Sequence, residues 1–464
     1  MRNALTCAVV AAFLGFLCSA TTAGAGALTV IGASSRVCQL TGQTDWPTGQ
    51  PTNAQTHANY GLDGVDLGFP VESESGQLLF LFGDTTPNNH PANTPPTLPP
   101  DDAVGYTTRA IAPDSSTCLD MKMFSPGPQM LTHPTVTPVI QQGSFNVPTG
   151  GIDVLGQVFE FFWTNHCVIP NPVTPNPGAP LTLPAAGGYC LEIPLNNSLG
   201  VSVMAAASPW SPTSFTLAAT PMANGFVYVS AAQTPPRRLP IPRGHGRIAP
   251  LPPIPVFGVA RYRASIPYLA LAPRRTFGDV TTWSYYAGTG PSGPIWLSYQ
   301  QWQAGQQNGH WAPPAGAELY ANSLNPASPT GDERCVGEHS VTWNQELGTW
   351  LMLYTCGGLQ VEARTAPEPW GPWSGPTILL SAIQTPGLYC TLFWKPGGCP
   401  GLTSQQIPQL SFGYLYAPFV MTRFTQAATP QAPSPAKAAT IYWLLSTWDP
   451  YQAMVMRSTL QLTP

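Results

Sequence analysis

Charge is the scarcest property of this 464-residue sequence. Asp, Glu, Lys and Arg together make up 9% of it, against about a quarter in an average soluble domain. The formal net charge is only −4. That leaves no basic footprint for nucleic acid or an anionic membrane surface. Long amphipathic helical periods are also missing, and 55 Pro with 44 Gly break the chain too often for a mainly helical fold. Beyond the first residues no apolar run is long enough to span a bilayer. No two cysteines stand in a Cys-x-x-Cys spacing, which argues against a zinc ribbon or a thioredoxin-type redox pair.

What the chain does have is apolar and aromatic surface. Hydrophobic residues are 43% and aromatics 10%, ample for a large core, so disorder is not expected. Residues 1–27 read as a signal peptide: Arg2 is the basic start, Leu5 to Leu17 the apolar stretch, and Ala23–Gly24–Ala25 or Ala25–Gly26–Ala27 the cleavage site. Cys18 follows Leu17 rather than a small residue, which speaks against a lipoprotein signal. The sequence therefore predicts a secreted protein with one domain over residues 28–464. Of ten cysteines, two (Cys7 and Cys18) lie in the leader, and 10 − 2 = 8 remain. An even number in a secreted chain predicts disulfides. The strongest local case is Cys335–Cys356, which face each other at the open end of a hairpin turning at Gln345–Glu346. The other expected pairs are Cys167–Cys190, Cys390–Cys399 and Cys38–Cys118. Asn196–Asn197–Ser198 is a glycosylation sequon.

The stretch Tyr60–Thr85, YGLDGVDLGFPVESESGQLLFLFGDT, predicts a β-hairpin. Val65–Val71 and Gln77–Phe82 are its apolar strands, and Glu72–Gly76 supplies the turn. A turn over Ser73–Gly76 sets Glu72 against Gln77 and Asp66 against Gly83, one residue from Asp84. Two carboxylates then share one end of the hairpin, with opposed or diagonal Cβ atoms roughly 5–8 Å apart. That is the range over which paired acids hydrolyse glycosides. The form recurs at Phe145–Asn165, Val256–Ala272 and Val336–Thr355, and in a split version over Gly413–Trp448. Five diverged hairpins predict an all-β fold with radial repetition, a five-bladed β-propeller. Further strands at Ser202–Ala207, Phe226–Ser230, Thr281–Ala287, Trp296–Tyr299 and Gln360–Arg364 are expected in the outer parts of the blades. The Pro-rich segments at 87–100, 170–184, 235–255 and 429–435 read as rim loops.

In that alignment the opening ends of the five hairpins meet at one mouth. They bring Asp66, Thr149–Gly150, Ala260–Arg261, Glu338–His339 and Tyr416–Ala417 together, with Asp84 returning to the same place. Convergent polar groups in an apolar frame describe a ligand site. Asp66 and Asp84 are the candidate acid–base pair; Arg261, Glu338, His339 and Tyr416 are candidate substrate contacts. Each has a structural reading beside the functional one. Asp84 could cap its own turn; Asp66 could be half of a salt bridge to Arg261; His339 and Tyr416 could be core.

Three stretches carry a family resemblance. VDLGFP with FGDT, GEHSVTWNQELGTWLMLY followed by RTAPEPWGPWS, and YWLLSTWDPYQAMVMRS resemble the domain-of-unknown-function family 4185, whose members are placed in glycoside hydrolase family 183, the endo-D-arabinanases. The resemblance implies a five-bladed propeller that cuts α-linked D-arabinofuranose chains of arabinogalactan and lipoarabinomannan. It implies Asp66 and Asp84 as the catalytic pair and a polysaccharide partner; within the pair Asp66 is assigned as base and Asp84 as acid. No metal or organic cofactor is called for. The sequence departs from the pattern at Val65, where Thr is expected, and in its long Pro-rich insertions. A bend at Gly83, needed to bring Asp84 to the face of Asp66, would widen the gap between the carboxylates, so inversion is expected. The competing expectations are a non-catalytic propeller that binds a glycan or another surface partner, and a hydrolase of another furanoside.

Overall fold

The computed structural model describes residues 26–87, 101–123, 145–165, 201–207, 220–232, 251–307, 310–322, 332–392, 414–447 and 450–464. Within them the chain is all-β, with helices of at most six residues. Residues 1–25 of the expected leader, the sequon, Cys167, Cys190 and Cys399 fall outside the described residues; Ala27, the last residue of the expected leader, begins the first strand. No helix among the described residues is long and apolar enough to cross a membrane.

Two short strands, β1 (Ala27–Val30) and β2 (Ser35–Gln39), open the chain. The first sheet follows: β3 (Leu62–Glu72), β4 (Leu78–Pro87), β5 (Asp101–Thr107) and β6 (Lys122–Met123), in that spatial order. The second is β7 (Phe145–Val154), β8 (Gln157–Asn165), β9 (Val201–Ala207) and β10 (Thr220–Pro221). The third is β11 (Tyr228–Ala231), β12 (Ile254–Val259), β13 (Tyr268–Ala272), β14 (Ser284–Gly290) and β15 (Gly293–Leu297). A two-stranded ribbon, β16 (Gln306–Gln307) with β17 (His310–Trp311), precedes the fourth sheet: β18 (Val336–Asn344), β19 (Thr349–Cys356), β20 (Gln360–Ala366) and β21 (Thr377–Ser381). The fifth holds β22 (Leu415–Val420), β24 (Lys437–Thr447) and β25 (Gln452–Thr463), with β23 (Gln426–Ala428) on β24. Strands β1 and β2 return to this last sheet and pair with β25.

All five expected hairpins are present. The third is not placed as expected. Residues Tyr228–Ala231 do not complete an outer edge; β11 pairs with β12 and forms the inner edge of its sheet. It packs against β7 on one side and β18 on the other. The physical link is Thr149, whose hydroxyl lies 3.1 Å from Val229 O and accepts from Val229 N at 3.2 Å. Gly150 beside it leaves no room for a Cβ against the Val229 carbonyl. The remaining inner strands also touch in turn: β3 with β7, β18 with β22, and β22 with β3.

The apolar faces between these sheets form the core. Phe69 meets Phe419 edge-on at 4.7 Å between β3 and β22. Phe159 meets Phe277 at 4.8 Å near the boundary of the second and third sheets, and Phe257 meets Trp350 at 6.4 Å between the third and fourth. Two of the expected disulfides are formed, Cys335–Cys356 with Cα atoms 4.7 Å apart and Cys38–Cys118 at 5.8 Å. Cys390 is disulfide-bonded as well.

The first hairpin keeps Asp66 opposite Gly83, but not by the even register read from its turn. Near the turn Glu72 pairs with Leu78, one residue off the expected Gln77. A bulge at Leu67–Gly68 takes up the difference, with both residues at positive φ (59° and 80°). The expected irregularity after Gly83 is also there: pairing shifts between Phe82 and Thr85 against β5, and between Gly64 and Asp66 against β3.

Candidate active site

Four inner strands are bulged near their opening ends. Strand β3 bulges after Asp66, β7 between Pro148 and Gly150, β18 between Val336 and His339, and β22 between Tyr416 and Phe419. A bulge inserts one residue and re-aims the side chains beside it, and such irregularities gather next to functional sites. Leu67, Ala417 and Arg263 are non-glycine residues held at φ +59°, +58° and +54°. Each costs of order 1–3 kcal/mol and persists only where the surroundings impose it. All three adjoin or belong to the cluster described next.

Asp66 is its centre. It is 6% exposed, and hydroxyls of Tyr451 and Tyr416 hydrogen-bond to its carboxyl group. Oxygen Oδ1 is buried with no hydrogen-bond partner, so it is the atom left for a ligand. It rests over Gly83, where an added Cβ would come to 2.9 Å from it. That close approach explains the glycine before Asp84. Burial drives the Asp66 pKa up to about 7; the Glu338 charge adds to the rise, while the Tyr451 and Tyr416 hydrogen bonds hold it back.

Tyr451 reaches Asp66 because the β24–β25 turn is stitched to β3. Val65 N donates to Tyr451 O at 3.1 Å and Ser446 Oγ to Leu67 O at 3.2 Å. Gly64 allows this docking, since a Cβ there would meet the Tyr451 ring at 2.8 Å.

Glu338 sits in the β18 bulge and is 4% exposed. Its Oε1 accepts from Tyr262 Oη at 2.5 Å and its Oε2 from Thr355 Oγ1 at 2.8 Å. The Arg263 guanidinium stands 3.9 Å from Oε2. Tyr262 stacks on Tyr228 at 4.6 Å, and Tyr228 on Trp163 at 5.7 Å, which makes an aromatic wall from β8 through β11 to this loop.

The structure thus gathers Asp66, Glu338 and Tyr416 of the expected residues, and adds Tyr262, Arg263 and Tyr451. Arg261 does not face the carboxylates. It is exposed, and its backbone is tied to Ser265 Oγ at 3.0 Å; Arg263, two residues on, takes the inward position. No Asp66–Arg261 salt bridge forms among the described residues. His339 is buried with Nδ1 3.2 Å from Gly337 O. Burial lowers its pKa to about 4, so it stays neutral above that pH, and its Nε2 is buried without a hydrogen-bond partner. Asp84 has its backbone in the β4 irregularity next to Gly83.

Two other features lie apart from this cluster. Cys335, Cys356 and Glu362 form a close group of metal-donor types, but the two sulfurs are joined in a disulfide. A cleft of about 340 Å³ lies at the turn ends of the inner hairpins, lined by Glu72, Trp343, Glu346 and Arg423 among others. The Arg423–Glu72 ion pair at 2.6 Å forms part of it. It is at the other end of β3 and β18 from Asp66 and Glu338.

Residues 254–457 match the family model described as domain of unknown function DUF4185. This bears out the resemblance to family 4185 over that segment, which contains Arg263, Glu338, Tyr416 and Tyr451; Asp66 and Asp84 precede it. No curated protein matches the chain. Solved structures similar to it include a Bacteroides ovatus protein assigned as a hydrolase, with TM-score 0.44 and 11% identity over 86% of each chain. Another is the GH43_1 enzyme of Xanthomonas citri, with TM-score 0.37 and 10% identity over 85% of this chain and 88% of that one. A third is an exo-β-1,3-galactanase of Phanerochaete chrysosporium, with TM-score 0.33 and 10% identity over 91% and 64%.

Proposed function

We propose that this chain is a secreted glycoside hydrolase that cuts within α-linked D-arabinofuranose chains, of the arabinogalactan and lipoarabinomannan type. In this reading the five sheets are the blades of a propeller. The successive contacts of β3, β7, β11, β18 and β22 support that arrangement. The motifs that resemble endo-D-arabinanases support the substrate. The observation that carries the chemistry is Asp66: a buried carboxyl with one oxygen unpartnered, a proton held to about pH 7, and a second acid beside it.

That environment favours a proton donor. Below pH 7 Asp66 keeps its proton and can pass it to the leaving glycosidic oxygen. The order expected from the sequence, with Asp66 as base, is therefore reversed in this proposal. Asp84 becomes the base that deprotonates the attacking water, and the outcome is inversion. Glu338, held by Tyr262, Thr355 and Arg263, acts through its charge by making Asp66 slow to ionise.

Two measurements test the assignment. The kcat/KM on arabinan should fall as pH rises through about 7, because the donor is then ionised. Asp66→Asn should lose far more activity on the polymer than on an aryl α-D-arabinofuranoside, whose leaving group needs no proton. Equal losses on both substrates would take the donor role from Asp66. Tight binding of arabinan by a wild-type protein with no turnover would instead point to a non-catalytic glycan-binding propeller.

A further inference from the structure

Arg263 is a half-buried cation whose Nε donor is buried without a partner. Its side chain is 23% exposed and its nearest carboxylate oxygen, Glu338 Oε2, is 3.9 Å away, too far for a hydrogen bond. Burying a guanidinium donor unpaired is costly, yet the backbone is held in an unusual conformation to put it there. Arg263 takes a left-handed backbone at φ +54°, fixed by its N–H donating to Val336 O at 2.9 Å. The guanidinium then lies 4.5 Å from the centre of the Tyr262 ring and 6.0 Å from that of Tyr414.

Space for this arrangement is kept at Gly358. A Cβ there would come to 2.9 Å from both Arg263 Nη1 and Tyr414 Cδ1. Tyr414 itself is 46% exposed, one of the few large apolar side chains that is. It is two residues before Tyr416, which hydrogen-bonds to Asp66. An open aromatic ring beside an unpartnered guanidinium Nε, next to Glu338, has the make-up of a sugar-binding surface.

We propose that Arg263 and Tyr414 form a substrate subsite beside Asp66, which takes one uncharged furanose ring of the glycan. The inference rests on the glycosidase reading above and names the residues that hold its substrate. The sugar's apolar face lies on Tyr414, and its hydroxyl oxygens accept from the guanidinium. The charge of Glu338 already balances Arg263, and Asp66 stands close by. An anionic ring would face those acids, whereas a neutral one adds no charge to the pocket. The subsite therefore selects neutral furanosides and disfavours uronate or phosphate-bearing sugars.

The test uses calorimetric titration of the full chain carrying Asp66→Asn, which binds without turnover, with a linear α-D-arabinofuranosyl oligosaccharide. Adding Tyr414→Ala or Arg263→Gln should weaken binding by roughly tenfold or more. Arg263→Lys should not restore it, because an ammonium lacks the planar fork. In the active protein Tyr414→Ala should raise KM and leave kcat close to wild type. Tyr414 is exposed, so Tyr414→Ala keeps the test valid even if the Arg263 variants fold poorly. Parent-like affinity in a folded Tyr414→Ala variant overturns the subsite while leaving the hydrolase reading standing. If the parent binds no furanoside oligosaccharide at all, the hydrolase reading falls and takes the subsite with it. Equal or tighter binding of a uronate-bearing oligosaccharide overturns the charge selection.

Discussion

Asp66→Asn should reduce kcat on D-arabinan by roughly 10²–10⁴-fold, the usual loss when a positioned acid or base is removed. Asp84→Asn should do the same. The fold should survive in both, since the amide that replaces Asp66 keeps its shape and can still accept from Tyr416 and Tyr451. Stability should even improve at alkaline pH. The folded pKa of Asp66 is raised, so the native state binds a proton that the unfolded chain has released between about pH 4 and 7. The group's contribution is therefore complete at acid pH and is lost as pH rises through about 7. Asn does not titrate, so Asp66→Asn should melt above wild type at pH 8 and show no such gain at pH 4. Thermal melts at the two pH values, together with rates on the polymer, check both halves. Wild-type turnover in a folded Asp66→Asn variant would remove Asp66 from the chemistry.

Phe69→Ala should cost about 3–5 kcal/mol of unfolding free energy, the range for truncating a fully buried Phe. Phe69 is 1% exposed and meets Phe419 across the contact between β3 and β22. The cavity would open where two sheets lean on one another. Urea unfolding with an unchanged m-value would report it as a loss of stability rather than of compactness. Ile111→Ala is the control. Ile111 is 74% exposed, and its removal should change stability by less than about 0.5 kcal/mol.

Local pattern carried much of this fold. Period-2 apolar runs with polar, Gly-containing turns located all five hairpins and brought Cys335 and Cys356 to one open end; the disulfide is formed there, although the turn is two residues longer than expected (Asn344 pairs with Thr349) and the ladder partner of Cys356 is Val336. It also set Asp66 against Gly83, although the even register assumed hid a bulge at Leu67–Gly68. What was illegible depends on contacts remote in the chain. Strand β11 has four residues, and nothing in Tyr228–Ala231 says that it lies inside β12. Arg263 was passed over for Arg261 because strand alternation cannot foresee a left-handed residue that turns the side chain inward. Tyr451 lay in a stretch already noted for its family resemblance, but its reach to Asp66 comes from a turn docked on Gly64. A tyrosine next to a strand end, facing a glycine-rich strand elsewhere, is the faint signal that could have raised it.

Strands β1 and β2 have a bearing on how the molecule comes into being. Ala27 pairs with Thr463, a contact that spans 463 − 27 = 436 residues. Loop-closure entropy grows only logarithmically, so so long a span costs little more than a moderate one at equilibrium. Its toll is in time, because pairings so remote in the chain are late and slow to form. Until residues 27–39 dock, the twelve-residue β25 presents a bare edge, half of it apolar. An edge of that kind recruits other chains. The protein's most vulnerable moment is thus its last folding step, and a variant that weakens β1 should show its defect first as low yield through aggregation rather than as a slower enzyme.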